Sequence, residues 1–292
     1  MSQPLDLRSK WIAGARPRTL PAAVAPVLVG TAVAAAQGDV VWWRALAALT
    51  VGLAVQVGTN YANDYSDGVR GTDDARVGPV RLVASGLASP AAVKWAAFLA
   101  FGVAGMAGLA LALAVTPWLL AVGAACFVAG WFYTGGRHPY GYVGFGELSV
   151  FVFFGLVAVV GSAYVHLHRI TMLAVVAAVP VGLLATALLV VNNLRDIATD
   201  TVAGKRTLAV RLGDAETRVL YIGCIGVAFA MLGPLFVARS WTLLAAAAVV
   251  LAVRPVRTVA RGATGRRLVD VLQDTGRLQL VFAVLLAVGI VL

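Results

Sequence analysis

Two stretches of this sequence gather side chains that could hold a cation. The first runs Asn60-Tyr61-Ala62-Asn63-Asp64-Tyr65-Ser66-Asp67 and continues through Gly71 to Asp73 and Asp74. The second is Asn192-Asn193-Leu194-Arg195-Asp196-Ile197-Ala198-Thr199-Asp200. Asn60, Asp64 and Asp67 are spaced i, i+4, i+7, and Asn192, Asp196 and Asp200 are spaced i, i+4, i+8, so each set shares one helical face. Two acidic faces turned toward each other repel unless cations sit between them. The ligands on offer are oxygens, with no His or Cys beside them, which suits a hard ion such as Mg2+ rather than zinc. Mg2+ keeps several waters and commonly bridges one or two carboxylates to phosphate. A basic stretch follows each motif, with Arg81 after the first and Lys205, Arg206 and Arg211 after the second. Such cations fit the neutralising of phosphate charge. One acidic loop alone reads as a solvated surface. Two at equivalent helix ends read as a site for a diphosphate held through metal ions.

The elements that must carry these motifs are membrane helices. The chain has 292 residues, 61% of them hydrophobic and only 12% charged, whereas a soluble domain is typically about a quarter charged. Its apolar runs are long and continuous rather than alternating, so helices are expected and not a barrel. Nine spans are expected, at 20–36, 44–63, 92–114, 117–134, 146–164, 171–191, 219–237, 240–256 and 277–292. The reading is therefore an all-α, polytopic bundle forming one integral-membrane domain over 1–292, with two pseudo-repeated four-helix units plus a ninth helix. Pro17 and Pro21 predict an irregular start to the first span. The basic segment 1–19 ahead of it resembles a signal peptide, but the many later spans favour an uncleaved first helix.

Charge follows the expected loops. Of the 23 Lys and Arg residues, all but Arg44, Arg169 and Arg239 fall on one side, and of the 13 Asp and Glu all but Asp39 do. The cations put the N-terminus and that face in the cytoplasm and the C-terminus outside. The positive-inside rule gives acids no reason to gather there; a polar site does. The net charge of +10 sits in short interhelical loops, which argues against a nucleic-acid partner. Cys126 and Cys224 fall inside apolar runs and read as small buried hydrophobes. Asp214 with Glu216 reads as a helix start.

Four segments resemble the UbiA-type membrane prenyltransferase superfamily: Arg16-Pro17-Arg18-Thr19-Leu20-Pro21, Asn63-Asp64-Tyr65-Ser66-Asp67, Tyr133-Thr134-Gly135-Gly136 with Gly146-Glu147, and Asn193-Leu194-Arg195-Asp196 through Gly204-Lys205-Arg206-Thr207-Leu208. The likeness covers nearly the whole chain and is strongest to the branch that prenylates 1,4-dihydroxy-2-naphthoate in menaquinone biosynthesis. It implies a Mg2+-dependent enzyme of the inner (plasma) membrane that joins a polyprenyl diphosphate to that acceptor. Diphosphate and CO2 are lost, and no obligate protein partner is implied. The ligand set it implies is Asp64 and Asp67 on one side and Asp196 and Asp200 on the other. Where the superfamily often has a third Asp, this chain has Gly71, and Asp73 or Asp74 stands nearby as a substitute. Asn60, Asn63, Asn192, Asn193, Arg16, Arg81, Lys205 and Arg206 are the accompanying candidates for substrate contact. Arg137 and His138 are candidates for the acceptor carboxylate. Tyr133, together with Tyr140 and Tyr142, could line the path of the allylic cation. His166 and His168 fall on the outer face with no evident role.

Two other classes compete. A transporter would also carry intramembrane acids and repeats, but the mid-span positions here are uncharged. A CDP-alcohol phosphotransferase opens its signature as Asp64-x2-Asp67-Gly68 does, yet requires Ala-Arg where this chain has Gly71-Thr72. A nearer alternative is a prenyltransferase of the same superfamily with another aromatic acceptor.

Overall fold

The structure, a computed structural model, describes residues 7–72 and 80–292, so Asp73 and Asp74 lie outside the described residues. All regular elements among them are helical: α1 (Leu7–Ala15), α2 (Pro21–Gln37), α3 (Trp42–Arg70), α4 (Pro90–Ala114), α5 (Trp118–Phe132), α6 (Gly146–Leu167), α7 (Met172–Val202), α8 (Leu208–Leu212), α9 (Asp214–Ala238), α10 (Ser240–Ala260) and α11 (Arg266–Val291). Seven of these are long and apolar enough to cross a membrane, and an eighth span forms if the bent pair at the N-terminus counts as one. The expected nine therefore do not all qualify by length. At 15 residues α5 reaches about 22 Å, short of a hydrocarbon core of about 30 Å. The irregular start of the first span is present. Pro17–Thr19 forms a single 3-10 turn, and the chain bends by 52° into α2.

Two helices outgrow their expected spans, and both carry a motif. α3 has 29 residues and α7 has 31, lengths of about 44 and 46 Å that overrun the same core by about 15 Å. Residues 64–70, beyond the expected span 44–63, thus continue the helix. Asp64 accepts from the backbone N–H groups of Leu82 and Val83, and Asp67 from Tyr142 and Lys205; the helix stops only at Gly71, whose φ of 69° needs no Cβ to be tolerated.

α7 runs through the middle of the bundle. Of its most apolar stretch 72% is buried inside the protein, against 28% for α4 and α6. α3, α4, α6, α9 and α10, with 28–33% of theirs buried, turn apolar side chains outward, as lipid-facing helices do. Trp42, Trp118 and Trp241 stand exposed at the starts of α3, α5 and α10, the position of an interfacial aromatic belt. Contact between α6 and α7 depends on small residues: a Cβ on Gly155 would lie 2.6 Å from the Gly182 Cα. α6 widens into a π-helical stretch at Phe151–Val157 where this approach occurs.

Candidate active site

The overrunning ends of α3 and α7 meet at one mouth of a cavity of about 530 Å3. One residue ties them. Lys205, three residues past α7, places its ammonium 3.2 Å from Asp67 Oδ1 and 4.0 Å from Asp200 Oδ1. It also lies over the Tyr142 ring, 4.7 Å from the centroid. Asp67 has further partners. Arg81 Nη2 is 3.8 Å from its Oδ2, and the Tyr142 hydroxyl donates to its Oδ1. Asp67 and Lys205 are both buried, and a carboxylate taken from water is tolerable only with this kind of compensation. Burial first, and the Asp67 carboxylate second, push the Tyr142 phenol above its ordinary range, so it remains the donor. Arg206 N–H donates to the Tyr142 carbonyl at 2.8 Å and holds that loop against Lys205.

Of the expected site residues, Asp67, Asp200, Asn60, Asn63, Asn192, Asn193, Arg16, Arg81, Tyr133 and Lys205 line the cavity. Asn63 Oδ1 accepts from the Thr134 hydroxyl at 2.7 Å. Asn60 donates to the Ala15 carbonyl at 2.9 Å and to Thr19 Oγ1 at 3.0 Å, and accepts from Gln56 at 3.3 Å. Arg16 holds a left-handed backbone, φ 54° and ψ 69°, which costs a non-glycine residue about 1–3 kcal/mol. Its Nε and Nη2 are buried without a hydrogen-bond partner. A strained, unsatisfied guanidinium on a cavity wall is a receptor for an anion.

Five expected residues do not reach the cavity. Asp64 is fully buried behind its wall. Its Oδ2 accepts from Leu82 N–H at 2.8 Å and its Oδ1 from Val83 N–H at 3.0 Å. Asp196 lies behind the wall too, gripped by Arg195 through Nε and Nη2, both at 2.7 Å. Arg137, His138 and Arg206 are exposed and outside the lining. Arg70 donates to the carbonyls of Thr134 and Gly136, just before residues 137–138. The sequence reading also missed partners. Thr134 orients Asn63, and Gln56 extends the Asn60 network one turn up the same helical face, a spacing of i−4 that the pattern itself contained. Glu147, buried on α6, accepts from Asn193 Nδ2 at 2.9 Å, so Asn193 keeps its oxygen for the cavity. The outer histidines are structural: His166 Nδ1 accepts from Val41 N–H at 3.2 Å, and His168 Nε2 accepts from Arg44 at 2.9 Å.

The donors at this mouth are carboxylate and amide oxygens, and an ammonium already sits between the two carboxylates, so the chemistry suits a hard divalent ion. Among the described residues no three His, Cys, Asp or Glu side chains converge on one point. Mg2+ takes one or two carboxylates and completes its shell with water and phosphate, and Asp67 and Asp200 are the two carboxylates lining the cavity among the described residues. Beyond the mouth the lining turns apolar, with Val27, Val51, Leu109, Leu120 and Val165 along its length.

A family model described as "UbiA prenyltransferase family" matches residues 23–270. The chain belongs to the UbiA prenyltransferase family. A 1,4-dihydroxy-2-naphthoate octaprenyltransferase of Mycobacterium tuberculosis is 53% identical over 279 residues, covering 96% of each chain. One from Escherichia coli is 39% identical over 238 residues, 76% of this chain and 74% of the relative. A solved "UbiA homolog from Archaeoglobus fulgidus bound to GPP and Mg2+" aligns with a TM-score of 0.72 over 97% of this chain and 99% of that one. At 12% identity that likeness speaks for the fold. In this UbiA family member the two motif-bearing helices are α3 and α7, and the cavity lies between them.

Proposed function

We propose that this chain transfers a polyprenyl group from polyprenyl diphosphate to 1,4-dihydroxy-2-naphthoate, releasing diphosphate and CO2 and giving demethylmenaquinone in its reduced, quinol form. The observation that carries this is the 53% identity over 96% of both chains to an octaprenyltransferase of that acceptor. The cavity supports it: an anion-binding mouth opens onto an apolar bore, as a diphosphate with a long hydrocarbon tail requires. The protein is an integral membrane protein, and its charge distribution supports the plasma membrane with the mouth at the cytoplasmic face.

Asp67 and Asp200, with the oxygens of Asn63 and Asn193, would hold Mg2+. When bound, Mg2+ supplies Lewis-acid charge to the leaving diphosphate. Lys205 and Arg81 bind the same diphosphate and stabilise the charge it gains as the allylic C–O bond breaks and its electron pair leaves with the oxygen. Tyr133, Tyr140 and Tyr142 offer ring faces to the allylic cation. A ring carbon of the acceptor forms the new C–C bond, and the bond to the carboxyl carbon breaks, returning its pair to the ring as CO2 departs. Arg16, left without a protein partner on two of its nitrogens, receives the acceptor's carboxylate. The charged lining residues Arg16, Asp67, Arg81, Asp200 and Lys205 all stand at the mouth, which disfavours a transport path through the bilayer.

The test is turnover by purified protein in detergent with a polyprenyl diphosphate, 1,4-dihydroxy-2-naphthoate and Mg2+. Prenylated naphthoquinol should form and should vanish with EDTA. Prenylation of 4-hydroxybenzoate in its place would move the chain to another branch of the family, and no prenyl transfer to either would refute the reading.

A further inference from the structure

Asp64 is a buried carboxylate that the mechanism above leaves without work. It is 0% exposed, and its two oxygens accept from consecutive backbone N–H groups, Leu82 at 2.8 Å and Val83 at 3.0 Å. Those residues belong to the segment that returns across the site after α3. Arg81, immediately before them, lines the cavity with a guanidinium nitrogen 3.8 Å from Asp67. The segment is also fitted sterically to α3. The Leu82 side chain is fully buried in a cluster with Tyr61 and Ala62, and a Cβ on Gly68 would lie 2.5 Å from Val83.

We propose that Asp64 is a positioning residue: it latches residues 82–83 onto α3 and thereby sets Arg81 against the diphosphate, rather than binding the metal. An ion that keeps part of its water shell needs room, and Asp64 has none. Charge-assisted bonds to backbone N–H groups are among the stronger a carboxylate makes, so one residue fixes the register of the segment on the helix. Asp67, one turn later, is left to face the cavity. This inference rests on the proposed reaction only in naming what Arg81 meets.

The first test uses the unaltered protein. Hydrogen–deuterium exchange of the Leu82 and Val83 amides should be equally slow with Mg2+ and with EDTA. Protection that appears only with Mg2+ overturns the latch, and this readout stands even if the acceptor is another molecule. The second test compares Asp64→Asn, Arg81→Gln and the double variant. Asp64→Asn should raise KM for the polyprenyl diphosphate about tenfold, speed exchange at 82–83, and leave the Mg2+ concentration for half-maximal rate within about twofold of the parent. In the Arg81→Gln background it should add less than about twofold, because the two changes remove one contact. A large shift in Mg2+ requirement with unchanged KM, fully additive costs, or no effect of Asp64→Asn would each overturn the proposal.

Discussion

Replacing Lys205 by Met separates the two jobs that its ammonium performs. The substitution keeps length and apolar volume but removes the charge that lies 3.2 Å from Asp67 and 4.0 Å from Asp200. Breaking a buried ion pair by deleting one partner typically costs about 3–5 kcal/mol. Arg81 and Tyr142 still face Asp67, so the lower end, about 3 kcal/mol, is expected for the metal-free protein. Asp67 and Asp200, freed of the ammonium, would be left to hold Mg2+. Thermal unfolding in detergent should therefore show a lowered Tm without Mg2+, and a larger recovery on adding Mg2+ than the parent shows. Turnover should not be recovered this way, because in the proposed mechanism the ammonium also binds the diphosphate. A loss of about 3 kcal/mol there corresponds to a drop of roughly a hundredfold in kcat/KM. Equal Tm values with and without Mg2+ in both proteins, or unchanged kcat/KM, would show that the Lys205 ammonium neither balances the two carboxylates nor meets the diphosphate, and would refute the reasoning.

Arg16→Ala should raise KM for 1,4-dihydroxy-2-naphthoate at least tenfold, roughly the worth of one charge-assisted hydrogen bond, and leave KM for the polyprenyl diphosphate within about twofold. Arg137→Ala and His138→Ala should change neither, and steady-state kinetics with each substrate varied in turn decides between them. Tyr142→Phe should weaken donor binding, since it removes the hydroxyl that Asp67 accepts from. A tyrosine pKa raised by folding contributes stability that is complete below the unfolded value of about 10 and fades as pH rises beyond it. The parent's loss of Tm at high pH should accordingly be shallower in Tyr142→Phe.

The helical bundle and the pairing of the motifs were legible because both follow from local pattern. An apolar run of spanning length has few alternatives to a helix, and carboxylates at i, i+4 share a face in any helix. What spacing could not settle was which acid of each motif looks into the cavity. Asp64 and Asp67 lie three residues apart, about 60° around the helix. That angle is enough to turn one toward the backbone of residues 82–83 and the other toward Lys205. Similarly, Gly136 and Pro139 announced a turn, but not that the Arg70 guanidinium, far away in sequence, holds the Thr134 and Gly136 carbonyls beside the exposed Arg137 and His138. The long-range partners of polar groups leave no periodic trace. The helix ends were misplaced for a related reason, because a drop in hydropathy marks the membrane boundary and not the end of hydrogen bonding along the helix.

On the proposed function, the charge at the mouth gives two carboxylates a reason to stand in a site that receives anions. Its lining holds three cations, Arg16, Arg81 and Lys205, against Asp67 and Asp200, a small positive excess. A diphosphate together with an aromatic carboxylate brings several negative charges and would overrun it. Adding more arginines could restore balance, but those charges would remain after the products leave and would hold the diphosphate. A divalent ion held by Asp67 and Asp200 would supply positive charge that need not remain after the products leave. Lys205 then reads as the charge that keeps the two acids together between turnovers, and its nearness to both is the condition for a site that cycles.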